Sequence, residues 1–109
     1  MDKEKLQLMA FDIIGHAGDA FAKFYEAVEE ARKNNFAKAD ELMAEGEAMI
    51  NNAHQAQSDL LAAEAREEDV QISLIVVHSQ DHLMTTIMYQ RMARQLIDIL
   101  KELDARNKQ

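Results

Sequence analysis

The chain has no cysteine, no proline and no tryptophan, and three glycines among its 109 residues. Without cysteine there is no disulfide framework, no thiolate zinc site and no cysteine nucleophile. That absence fits a reducing compartment, and a cytoplasmic location is expected. The lack of proline, with Ala, Leu, Glu and Met plentiful, favours helix and argues against sheet. Long apolar runs are missing as well. Leu74 to Val77 is far short of the ~20 residues a spanning helix needs. The N-terminal Met1-Asp2-Lys3-Glu4-Lys5, followed by a segment broken by Asp12, is not a signal peptide. Direct membrane insertion is therefore not expected. Positive charge is scarce: 12 Lys and Arg stand against 20 Asp and Glu, giving a net charge of −8. Nucleic acid is not an expected partner, because binding phosphates needs clustered Lys and Arg. An acidic surface is instead steered toward a basic partner. What is present is ordinary for a globular protein, 48% hydrophobic and 29% charged residues. The length suits one small domain, residues 1–109.

Periodicity divides the chain into three helices. The first is expected over 3–33, where Ala10, Ile14, Ala17, Phe21, Phe24, Val28 and Ala31 recur at steps of four and three. Asn34-Asn35 is the clearest break, with Asn35 as N-cap of the next helix. The second helix is expected over 36–65, with the stripe Ala39, Leu42, Gly46, Met49, Ala53, Ala56, Leu60 and Ala63. Its small residues allow a neighbouring helix to come close. A turn is placed at Arg66-Glu67-Glu68-Asp69, and the third helix is expected over 70–103, followed by a frayed tail over 104–109. The fold class is thus all-α, an antiparallel three-helix bundle.

The third helix carries more apolar surface than a bundle requires. One stripe is Ile72, Ile75, Val76, Ser79, Leu83, Ile87, Ala93, Ile97 and Leu100. The other is Leu74, Val77, Asp81, Met84 and Met88, spaced as in a coiled-coil seam. Two readings stand at this point: the second stripe packs on copies of itself in an oligomer, or one wide stripe is buried within a single bundle. Asp81 interrupts the seam, and an isolated buried carboxylate costs several kcal/mol. Either it lies at the bundle edge and reaches water, or copies of it meet at a symmetry axis and share a hard cation such as Mg²⁺, which prefers oxygen ligands.

His78 and His82 lie one helical turn apart on the same face. Three readings compete. The pair binds a transition metal together with Asp81, although the zinc-protease pattern needs Glu after the first His and Ser79 stands there. Or both are ordinary surface histidines. Or one is a nucleophile: imidazole is largely neutral at pH 7, and its free lone pair can attack phosphorus. In that case His82, Gln80 and Ser79 are the donors within reach for the phosphoryl oxygens. The residues alone do not choose between the last two readings.

Three blocks resemble a known family. Leu74-Ile75-Val76-Val77-His78-Ser79-Gln80-Asp81-His82-Leu83-Met84 is similar to "LVHAQDHLM" of the EIIA components of the bacterial sugar phosphotransferase system (PTS), lactose/cellobiose class. Ala17-Gly18-Asp19-Ala20 resembles its "NAGDA" region, and Ala53 to Leu61 its "AHKAQTELL" region. The resemblance spans nearly the whole chain. It implies a homotrimer assembled through the third helix and a tele-phosphohistidine on His78. The implied phosphoryl donor is the phosphohistidine of HPr, and the implied acceptor is a cysteine of the cognate EIIB. His82 and Gln80 are candidate stabilisers of the phosphoryl group. Asp81, one per subunit, is the implied ligand of a shared divalent cation, one structural Mg²⁺ or similar ion per trimer. The implied cargo is a β-linked disaccharide of lactose, cellobiose or chitobiose type, and no residue here identifies which. With a helix over 70–103, His78 is expected mid-helix, out of reach of the helix N-terminus. The family commonly has Arg-Ser after the "GDA" block, where this chain has Phe21-Ala22. His16 is expected to be a surface or satisfied interhelical residue, and His54 a structural or partner-facing one.

Overall fold

The computed structural model describes residues 2–66 and 73–109. Helix α1 runs Lys3–Arg32, α2 Phe36–Ala65 and α3 Leu74–Asn107, packed into a rod of 61 × 20 × 19 Å. Among the described residues there is no strand.

Local chemistry sets the helix ends. The Asp2 carboxylate accepts from the Lys5 amide at 2.8 Å and caps α1. At its other end Asn34 takes φ 65°, the left-handed conformation that asparagine tolerates better than most residues. The Asn34 and Asn35 amides donate back to the carbonyls of Ala31 and Glu30, both at 3.0 Å. Asn35 is the residue before α2, as expected, but its side chain makes no cap bond there. It donates instead to the Glu30 carboxylate at 2.9 Å. The expected turn at 66–69 and the expected start of α3 at Val70 fall largely outside the described residues, as does Ile72. The α3 helix continues to Asn107, past the expected end at Leu103. An ion pair from Lys108 to Asp104, at 3.0 Å, supports its last turn.

The chain goes up, down and up. Thr86 bonds Ala17 and Tyr89 stacks on Phe21, so α1 and α3 advance in parallel. Asp40, early in α2, pairs with Arg94 at 3.1 Å and Lys101 at 3.0 Å, so α2 runs against α3. Hydrogen bonds from Lys101 and Arg94 hold the Asp40 carboxyl below the usual carboxylate range, against the opposing effect of partial burial.

Alanine builds much of the core. Ala10, Ala17, Ala20, Ala27 and Ala31 of α1 and Ala39, Ala53 and Ala63 of α2 are completely buried. The close approach they permit is sharpest at Gly46, where a Cβ would stand 2.4 Å from the Phe24 ring. The buried line of α1 is Leu6, Ala10, Ile13, Ala17, Ala20, Phe24, Ala27 and Ala31. This corrects the expected stripe: Ile14 and Val28 are only half-buried, and Phe21 is 41% exposed. Each is displaced by its smaller or better-placed neighbour, because helices this close leave room for alanine and not for a second ring. In α2, six of the eight expected stripe residues are buried, and Met49 and Ala56 are half-buried. Between α2 and α3 the packing is looser, and a cleft of about 590 Å³ opens beside Met43, Glu47, Ile50, His54, Ile87 and Arg91.

Candidate active site on the third helix

Four consecutive residues of α3 point in four directions, at about 100° per residue. Ser79 faces the core, is fully buried, and donates to the Val76 carbonyl at 2.6 Å. Gln80 turns toward α2 and accepts a hydrogen bond from the Gln57 amide. Asp81 is exposed on the outward stripe. His82 turns toward α1 and lines a pocket of about 240 Å³ with Gly18, Phe21, Thr85 and Thr86.

His78 is exposed, one turn below His82. Their ring centroids are 4.7 Å apart with planes at 75°, so one ring presents its edge to the other. This leaves the outer side of His78 open while His82 stands at its flank. Gln80 lies about 160° around the helix from His78. Within one chain Gln80 is occupied with Gln57 on the far side of α3.

The structure corrects the expected position of His78 along the helix. The start of α3 is at Leu74, with Ser73 as its N-cap residue. His78 therefore sits in the second turn and not mid-helix.

The α1 side of the site is built by residues that periodicity alone did not single out. Thr86 is 2% exposed and donates to the Ala17 carbonyl at 3.3 Å, tying α3 to α1 beside His82. The signal was available: Ser79 and Thr86 are seven residues apart, two turns along one buried line. Phe21 stacks on Tyr89 with centroids 4.6 Å apart. Burial pushes the Tyr89 hydroxyl above its ordinary pKa, helped by Tyr25 and Glu29 nearby. His16 is half-buried on α1, and His54 is exposed and borders the α2–α3 cleft; neither lines the His82 pocket.

Among the described residues no three His, Asp or Glu side chains come together as a set able to hold a metal. A transition-metal site made of His78, Asp81 and His82 within one chain therefore has no support. Asp81 alone is a hard oxygen donor, exposed among Val77, Met84 and Met88 at 45, 57 and 60% exposure. That donor suits a Mg²⁺-type cation shared between copies of the chain. The apolar line continues through Met92, Leu96, Ile99 and Leu103, all at least 42% exposed. A monomer rarely shows water so long an apolar stripe.

This up-down-up helical rod, with an exposed histidine edge-on to a second one on its last helix, has known relatives in sequence and fold. A sequence model of the PTS lactose/cellobiose-specific IIA subunit family matches residues 8–101, and the chain belongs to that family. It is 46% identical over 101 residues to the PTS lactose-specific EIIA component of Staphylococcus aureus, covering 93% of this chain and 98% of that protein. Its fold matches the crystal structure of the cellobiose-specific enzyme IIA of Bacillus anthracis with a TM-score of 0.90 at 36% identity, over 96% of this chain and 94% of that one. It also matches the IIA subunit in the IIA(chitobiose)–HPr complex of Escherichia coli, with a TM-score of 0.80 at 29% identity, over 95% and 99% of the two chains. Among the described residues no helix is long and apolar enough to cross a membrane.

Proposed function

We propose that the protein is a cytoplasmic phosphocarrier that holds its phosphoryl group on His78. The single observation that carries this reading is His78 itself. In a chain of this family it is an exposed imidazole in the block similar to "LVHAQDHLM", with His82 edge-on beside it. The Nε2 lone pair of His78 attacks the phosphorus of phospho-HPr. The new N–P bond forms as the donor's N–P bond breaks, and the donor imidazole leaves. In the second step the cysteine thiolate of the cognate EIIB attacks the same phosphorus. An S–P bond forms, and His78 returns to neutral imidazole. Both steps are in-line displacements in which positioning and electrostatics do most of the work. His82 is the ring placed to donate to the phosphoryl oxygens. Gln80 of the same chain is not assigned this role.

The outward stripe of α3 packs on its copies in a homotrimer, which removes the exposed Leu, Val, Met and Ile side chains from water. Asp81 from each subunit then meets at the axis. Those three carboxylates would hold one divalent cation, Mg²⁺ or similar, which supplies neutralisation of their mutual repulsion and has no part in the transfer. The phosphoryl group passes onward to a β-linked disaccharide of lactose, cellobiose or chitobiose type during its uptake.

Incubation with phospho-HPr and mapping of the acid-labile phosphate tests the assignment. We expect label on His78, none in His78→Ala, and transfer slowed by about 10²-fold in His82→Ala. Label on another residue, or a labelled His78→Ala protein, would overturn it.

A further inference from the structure

With no cysteine in the chain, methionine carries all of its sulfur. Thioethers undergo a reversible two-electron oxidation to the sulfoxide. Of seven methionines, the structure sorts the described ones by accessibility. Met43 lies in the core at 4% exposure, and Met9 and Met49 are half-buried against that core. Met84, Met88 and Met92 are 57, 60 and 52% exposed.

These three stand one turn apart, at four-residue steps, along the outward stripe of α3. They fill its middle. Leu74 and Val77 precede them on the stripe, and Leu96, Ile99 and Leu103 follow. Methionine and leucine are close in volume, so packing does not demand methionine there. What sets it apart is an unbranched thioether whose sulfur is open to an oxidant. Asp81, the polar member of the stripe, is a carboxylate and has no proton to offer a sulfoxide oxygen at neutral pH.

We infer that Met84, Met88 and Met92 are a peroxide oxidation site that controls assembly of the chain. The inference rests on the reading of the outward stripe as the contact between copies. A sulfur lone pair attacks one peroxide oxygen. An S–O bond forms, the O–O bond breaks and water leaves. Sulfur loses two electrons and the peroxide gains them. The product is a polar sulfoxide in the middle of an apolar seam. Burying its oxygen without a hydrogen-bond donor opposes assembly. In the assembled form the same three side chains are covered by copies of the stripe. The reaction therefore selects free chains. It holds them apart until the sulfoxides are reduced, which takes one reductase for each epimer.

The test is hydrogen peroxide on the full-length protein, followed by peptide mass mapping and sedimentation. At low protein concentration one oxygen should appear on each of the three about tenfold faster than on Met43. At high concentration the three should react more slowly, because the copies shield one another. The oxidised protein should sediment as a monomer with its helical content unchanged by circular dichroism. Treatment with both sulfoxide reductases should restore the oligomer. Met84→Leu combined with Met88→Leu and Met92→Leu keeps volume and apolar character. That variant should assemble as the wild type does and stay assembled through the same peroxide treatment. A wild type oxidised at all three positions and still oligomeric would overturn the inference. So would three methionines that resist peroxide at every dilution, or a leucine variant that dissociates as readily as the wild type. Untreated wild type that is monomeric at every concentration would fail the assembly reading itself; an oligomer indifferent to oxidation would fail only the oxidation site.

Discussion

The α1–α2 seam and the outward face of α3 are both helix surfaces with regular small-step periodicity, yet they end in opposite states. At the seam, Phe24 fits over Gly46 so closely that one added carbon would collide with it, and the surrounding alanines are fully buried. On α3, larger residues are left in water: Leu74 is 86% exposed and Met88 60%. Size does not decide burial in this rod; whether another helix faces the residue does. The seam is complete within one chain, whereas the outward face is incomplete until something covers it.

Breaking the outward face should have the largest consequence. Met84→Asp with Met88→Asp puts unpaired charge into the proposed trimer interface, at a cost of several kcal/mol per buried ion. We expect a folded monomer by sedimentation, with helical content unchanged by circular dichroism. A trimer in that variant would show that the stripe is not the interface. Breaking the seam comes next. Gly46→Val overpacks against Phe24 and should cost about 1–3 kcal/mol, read as a lower urea midpoint. An unchanged midpoint would mean that the Phe24 ring moves freely aside. Asp81→Leu sharpens the comparison with the opposite sign, because it removes like charges and restores an apolar seam. The proposed trimer should persist and lose any dependence of its melting temperature on Mg²⁺.

The smallest effect is the clamp from α2 to α3. The folded pKa of Asp40 lies below its ordinary value of 3.8. Its contribution is therefore complete above that ordinary value and is lost as pH falls through the depressed one. The ion pairs are about half exposed, so Asp40→Asn should cost no more than about 1 kcal/mol at pH 7. The difference from wild type should vanish in strong acid. A difference that persists there would assign the effect to packing and not charge.

The three helices were legible in the sequence because their stripes repeat over many turns, and the first two were placed to within one residue at each end. The second stripe of α3, Leu74 through Met88, was legible too, and so was the pairing of His78 with His82. The rotation of α1 was not: Ile14, Phe21 and Val28 look like core by size, while Ile13, Ala20 and Ala27 are buried. Periodicity gives a face to within one residue, and only the distance to the next helix selects between adjacent lines. The bond between Gln80 and Gln57 was not legible either, because spacing along one helix says nothing of a residue on another.

The short distance from Ser73 to His78 has a thermodynamic consequence. Side chains of a helix lean toward its N-terminus, where unpaired amides give a partial positive charge that favours anions. A phosphoryl group carried in the second turn feels the weak end of that field, worth a few tenths of a kcal/mol. In a relay that is a bias on the equilibrium between donor and carrier of less than about twofold. On the proposed role, a phosphorylated His78 would sit slightly downhill of where a mid-helix histidine would leave it, and still shallow enough to be handed on.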